Sequence, residues 1–123
     1  MPFELTIDYD RGVAVYRQIY EAVLAALASG QLETDEQLPT IHELSARLDV
    51  NPNTVARAYR ELERDGHLVA RRGKGTFAAE APDDSHGNRD AVLRGIFDRA
   101  VAEAARHRIS PTDVVDFFRK ALP

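Results

Sequence analysis

Residues Val50 to Phe77, VNPNTVARAYRELERDGHLVARRGKGTF, limit the folds open to this chain more than any other segment. Asn51-Pro52 is a helix start, because asparagine suits the N-cap and proline suits the first helical position, where no amide donor is needed. Val55, Tyr59 and Leu62 recur at helical spacing and predict one buried face. Asp65-Gly66 stops that helix. His67 to Ala70 and Thr76 to Ala78 then read as two strands, joined by the tight basic turn Arg71-Arg72-Gly73-Lys74-Gly75.

The flanking sequence completes the pattern. Phe3, Leu5, Ile7 and Tyr9 alternate with Glu4, Thr6 and Asp8, which predicts an extended segment with one buried face. From about Ala14 to Ser29 the period lengthens: Tyr16, Ile19, Tyr20, Val23, Leu24 and Leu27 share one helical face, and Gly30 ends the helix. Thr40 and Glu43 form a T-x-x-E capping box for the next helix, whose apolar stripe is Ile41, Leu44 and Leu48. Only Leu48-Asp49-Val50 separates it from the helix at Asn51, the spacing of a helix-turn-helix. The expected fold is mainly α with a small β wing (α+β), a winged helix-turn-helix over residues 1–79. Residues 80–88, EAPDDSHGN, read as a linker. Residues 89–123 read as a helical pair. One helix runs from about Arg89 to His107 with Leu93, Ile96, Phe97, Ala100 and Ala104 on one side. The other is capped by Ser110-Pro111-Thr112-Asp113 and carries Val114, Val115, Phe117, Phe118 and Leu122.

Composition excludes several classes. At 44% hydrophobic and 29% charged the chain is globular rather than disordered. With no cysteine it has no disulfide, cysteine metal site or thiol chemistry. His42, His67, His86 and His107 lack metal-ligand spacing, and no serine or lysine has the neighbours of an activated nucleophile. Neither an enzyme, a metal nor a cofactor is therefore expected. No apolar run approaches the roughly 18 residues of a membrane span, and MPFELTIDYD lacks the basic and apolar regions of a signal peptide. A cytoplasmic setting is the expectation. The net charge of −4 is unevenly spread: residues 40–79 carry 7 basic and 5 acidic groups, against 2 and 7 in residues 1–39. The positive excess falls on the helix-turn-helix and wing, where a nucleic acid would lie.

In such a fold the helix at 51–65 is the candidate reading head. A major groove admits one helix, whose N-terminal residues reach the base edges first. Asn51, Asn53 and Thr54 occupy that end, with Arg57 one turn on and Arg60 beyond it. Asparagine pairs with adenine, threonine meets a thymine methyl, and arginine bridges guanine or grips phosphate. Asn51 is the exception, since Asn-Pro is first of all a cap. In the wing at 71–75, Arg71, Arg72 and Lys74 supply cations, while Gly73 and Gly75 let the backbone approach a phosphate. Gly73-x-Gly75 joins two strands and is no nucleotide fingerprint.

Beyond these residues the chain resembles the GntR family of bacterial transcription factors over about residues 14 to 79. The resemblance is carried by Gly30-x-Leu32, Leu38-Pro39-Thr40, Asn53-Thr54-Val55, Ala58-Tyr59 with Leu62, Asp65-Gly66 and Gly73-x-Gly75-Thr76-Phe77. The Asn51-Pro52 start, the extended N-terminus and the short C-terminal region are most similar to the YtrA branch. The resemblance implies a homodimeric repressor that binds double-stranded DNA at an inverted-repeat operator and uses its C-terminal helices for dimerisation. Leu93, Ile96, Phe97, Val114, Phe117 and Phe118 exceed what a lone helical hairpin can bury, which supports that role. The operator and any small-molecule effector are not legible. A winged helix used only as a protein-interaction module is the alternative class, suggested by the acidic total charge.

In the wider family the position of His42 contacts DNA, and many members carry arginine there; Thr40, at the start of the same helix, is a further candidate for DNA contact. Many also carry arginine at Pro52, which has no donor to offer a base, so readout shifts to Asn53, Thr54 and Arg57. Histidine ordinarily changes charge between about pH 5 and 8. Binding to DNA is expected to weaken as pH rises from about 6 to 8 and to lose this dependence in His42→Ala. Anisotropy titrations of both proteins decide it, and an equal pH dependence in the two contradicts the role.

Overall fold

The computed structural model describes residues 5–81 and 85–122, the side chains of 85–88 excepted. Phe3 and Glu4, the start of the alternating N-terminal segment, lie outside the described residues. The order of elements is α1 (Val15–Ser29), α2 (Ile41–Leu48), α3 (Pro52–Arg64), β1 (Leu68–Arg71), β2 (Gly75–Ala78), α4 (Ser85–Arg106) and α5 (Pro111–Ala121). They fall into two compact units, Met1–Pro82 and Asp83–Pro123.

In the first unit α1 and α2 pack on α3, whose apolar face of Val55, Ala58, Tyr59 and Leu62 is the centre of the core. Ile19, Val23, Leu44, Val55 and Leu62 are wholly enclosed. The caps act as their residue types require. Gly30 takes the left-handed conformation after α1, and Leu32 turns back so that its amide bonds the Ala26 carbonyl and its side chain plugs the core. The Thr40 hydroxyl accepts from the Glu43 amide at 3.1 Å, while the reciprocal half of the capping box is not formed. Asp49, left-handed at φ 55°, closes α2 and makes the turn into α3. Beneath that turn the Tyr59 hydroxyl donates to the Pro39 carbonyl at 2.7 Å, and burial pushes its ionisation well above that of a free phenol. At the far end of α3, hydrogen bonds from Arg64 and then Tyr20 hold the Asp65 carboxyl below the usual range.

β1 and β2 pair antiparallel, with Leu68 opposite Ala78 and Arg71 opposite Gly75. Arg71 and Gly75 are thus the last rungs of the ladder, and the turn proper is Arg72-Gly73-Lys74. Gly73 has φ 76° at the third place of a four-residue turn closed by Lys74 N–H to Arg71 C=O, as a type II turn requires. Residues 35–38 run beside β2 as an isolated bridge that was not expected. They bond β2 through Asp35 N–H to Ala78 C=O, Ala78 N–H to Glu36 C=O and Leu38 N–H to Thr76 C=O, with Gln37 opposite Phe77.

Two expectations at the chain's edges need correction. Leu5 and Ile7 pack against the core, but Tyr9 is 69% exposed, because the chain turns at Asp8. The buried Gln18 amide makes that turn: it accepts from the Asp8 N–H and donates to the carbonyls of Asp8 and Val13. The second concerns the linker at 80–88. α4 begins at Ser85, inside that stretch, since extending a formed helix adds a hydrogen bond without a new nucleation cost. In the second unit Ser110 caps α5, accepting from the Asp113 amide at 3.1 Å, and α5 packs against α4.

Tyr59→Phe leaves the Pro39 carbonyl without its donor in a buried place. Urea unfolding is expected to show a loss of about 1–3 kcal/mol with an unchanged m-value. A change within error assigns the fold's rigidity here to packing alone.

Candidate nucleic-acid interface

The face of α3 away from the core carries Asn53, Arg57, Arg60 and Arg64, all exposed, with Thr54 half-buried beside them. Asn51 is engaged as the cap, its Oδ1 accepting from the Asn53 N–H at 2.8 Å. Asn53 and Thr54 therefore head the helix with their side chains unspent, and the amide end of the helix dipole adds to the positive potential there. Thr40 and His42 are exposed at the N-terminal end of α2.

The arginines differ in how they are held. Arg57 stacks on Tyr16 of α1, its guanidinium carbon 3.7 Å from the ring centroid. Arg71 pairs with Asp35 at 2.9 Å and lies over Phe77 at 4.5 Å, so it braces the wing base. Arg60, Arg72 and Lys74 enter no ion pair among the described residues, so their charges are not neutralised there. Gln37 supports the wing from behind, its Nε2 donating to the Lys74 carbonyl at 2.9 Å. Sequence reasoning missed Gln37 and Asp35 as parts of the site, and it placed Tyr16 only on an apolar helix face. No local pattern marks them, because their partners lie 37, 36 and 41 positions along the chain.

The candidate dimerisation residues divide. Leu93, Ile96, Phe97, Phe117 and Phe118 are exposed, Phe117 by 68%. Val114 is only 8% exposed: it sits inside its own unit and belongs to the helical hairpin rather than to an open face. Val92, Ile109, Val115 and Leu122 are exposed as well, so the apolar surface is wider than expected. Between α4 and α5 lies an open groove of about 550 Å³, walled by Ala100, Ala104, Ile109, Val114, Phe117 and Phe118. Among the described residues there is no cluster able to hold a metal, and no helix long and apolar enough to cross a membrane.

Comparison with known proteins adds the context. Residues 15–78 match the family described as bacterial regulatory proteins, gntR family. The HTH-type transcriptional repressor YtrA of Bacillus subtilis is 36% identical over 76 residues, 62% of this chain and 58% of that protein. Among solved structures, a transcriptional antiterminator from Listeria monocytogenes EGD-e superposes with a TM-score of 0.81 at 27% identity, covering 98% of this chain and 90% of that one. AraR(DBD) in complex with operator ORE1 gives 0.53 at 27% identity, over 63% of this chain and 94% of that one. The chain spans less than two thirds of the first relatives it matches: 58% of YtrA, and 22% of a probable rhizopine catabolism regulatory protein, MocR, of Rhizobium meliloti, at 33% identity.

The wing geometry yields a direct test. Gly75 has φ 122°, and a Cβ there would stand 2.7 Å from Gln37 Nε2. Gly75→Ala is expected to lose about 1–3 kcal/mol of stability and to displace the Gln37 amide. Faster hydrogen exchange at the Lys74 amide reports the loosened turn, and an unchanged exchange rate rules out the proposed support.

Proposed function

This chain belongs to the gntR family of bacterial regulatory proteins, and we propose that it is a cytoplasmic transcriptional repressor binding an inverted-repeat operator as a homodimer. The observation that carries the reading is one unit holding a recognition helix with exposed Asn53, Arg57 and Arg60 beside a half-buried Thr54, and a wing whose Arg72 and Lys74 are unpaired among the described residues. Helix and wing contacts of this kind divide the work: base edges for the helix, phosphates for the wing. The solved AraR(DBD)–operator complex, alike in fold and 27% identical, supports DNA as the ligand. The resemblance to YtrA, named a repressor, supports the direction of control.

The homodimer rests on the second unit. Phe97, Phe117, Phe118, Leu93 and Ile96 would leave an adhesive surface on a monomer, and two copies meeting about a two-fold axis would cover it. A two-fold protein matches an inverted repeat and sets the spacing of its half-sites. A dimer also doubles the phosphate contacts, which a small positive excess in residues 40–79 needs. The helical groove is walled mainly by apolar side chains, which suits packing better than capture of a polar effector.

Fluorescence anisotropy on duplex DNA from upstream of its own gene, against a scrambled duplex across a salt series, tests the reading. The expected result is tighter binding to the native duplex, steep weakening with salt and two protomers per site. Arg57→Ala is expected to cost about 1–3 kcal/mol and to relax one base position, while Lys74→Ala lowers the salt slope by about 1. Indifference to salt and to both substitutions favours a protein-interaction module instead.

A further inference from the structure

We propose that Tyr16 is a specificity-determining positioning residue, whose ring aligns the Arg57 guanidinium for the base edge it reads; this rests on the DNA-binding reading above. Among the described residues four arginines lie over aromatic rings, and Arg57 is the nearest, at 3.7 Å against 4.5, 5.1 and 5.9 Å for the others. At that separation the guanidinium carbon is in van der Waals contact with the ring. A ring stacked on one face of a guanidinium leaves its N–H donors directed outward from the edge.

That edge is what a guanine needs. Bidentate bonding to O6 and N7 depends on the plane of the guanidinium, whereas attraction to phosphate depends chiefly on its charge. An unrestrained arginine loses much rotamer freedom when it docks on a base, and a stacked one has already lost part of it. The platform is itself fixed. Tyr16 is the second residue of α1, and Ile19, Tyr20 and Val23 of the same helix are buried in the core. The adjacent Arg17 is directed elsewhere, to Glu21 and the Tyr20 ring, and does not compete. Arg60, Arg72 and Lys74 have no such platform among the described residues, as suits groups that meet phosphate.

The test uses a duplex enriched by the wild-type chain from a randomised library, with each G·C pair then replaced singly by A·T. Tyr16→Leu keeps apolar bulk but removes the π face. It is expected to weaken binding about three- to five-fold and to narrow discrimination at the same G·C pair that Arg57→Ala ceases to read. Its salt slope on scrambled DNA stays that of the wild type. Tyr16→Phe retains wild-type behaviour, and adding Tyr16→Leu to Arg57→Ala brings no further loss. In the free protein, ring-current shifts of the Arg57 side-chain protons, lost in Tyr16→Leu, report the stack without DNA. Unchanged or tighter binding by Tyr16→Leu overturns the role, as does an equal loss in both Arg57 backgrounds or the absence of the shifts. A wild-type chain that enriches no duplex, with the shifts intact, removes the DNA reading and this role together while leaving the stack established.

Discussion

The hydrogen bond from Tyr59 to the Pro39 carbonyl holds the junction on which the first unit depends. Residues 35–40 lie between three elements that must keep a fixed relation. Pro39 is tied to α3, Thr40 caps α2, and Leu38, Glu36 and Asp35 bond the backbone of β2. Gln37 continues the line to the wing tip. The segment therefore acts as a strut between α3 and the β1–β2 hairpin. The Tyr59 bond is buried, so water does not compete for it readily, while the bonds made by Thr40 and Gln37 are exposed. A helix and a hairpin that were joined only by Asp65, Gly66 and His67 would have no comparable constraint on their separation.

Charge is arranged with similar economy of means. The chain is acidic overall, yet its cations are sorted by the company they keep. Arg64 is spent on Asp65 and Glu61 at the end of α3, and Arg71 on Asp35 at the wing base. Arg57 is oriented by an aromatic ring rather than neutralised by a carboxylate. These exposed pairs contribute little to stability, and their larger effect is to decide which cations remain available.

Much of the first unit was legible because its signals are local. Asn51-Pro52 and Asp65-Gly66 bound α3 through their own backbone preferences, and the spacing of Val55, Tyr59 and Leu62 marks the buried face within one helix. The strut was not legible. Thr34 to Gln37, TDEQ, has neither alternation nor β-branched enrichment beyond a single threonine, and it is ordered by β2, which lies some forty residues later. Gln18 was invisible for the same reason, since its partners Asp8 and Val13 lie in a turn that periodicity does not report. Tyr9 misled because a period-two pattern continues in the letters after the chain has turned. In the second unit the pattern placed Val114 and the phenylalanines on one helix, but only the packing of α5 on α4 separates the residue that is enclosed from those that are exposed.

The sheet of the first unit has unequal margins. Residues 35–38 cover the outer side of β2, leaving the far side of β1 as its open margin. That margin is four residues long and ends in Arg71, followed by Arg72. Short strands that finish in charge are poor templates for strand addition by another chain. Copies brought side by side would thus find only a short margin that ends in charge, and the hairpin is a poor seed for fibrous assembly.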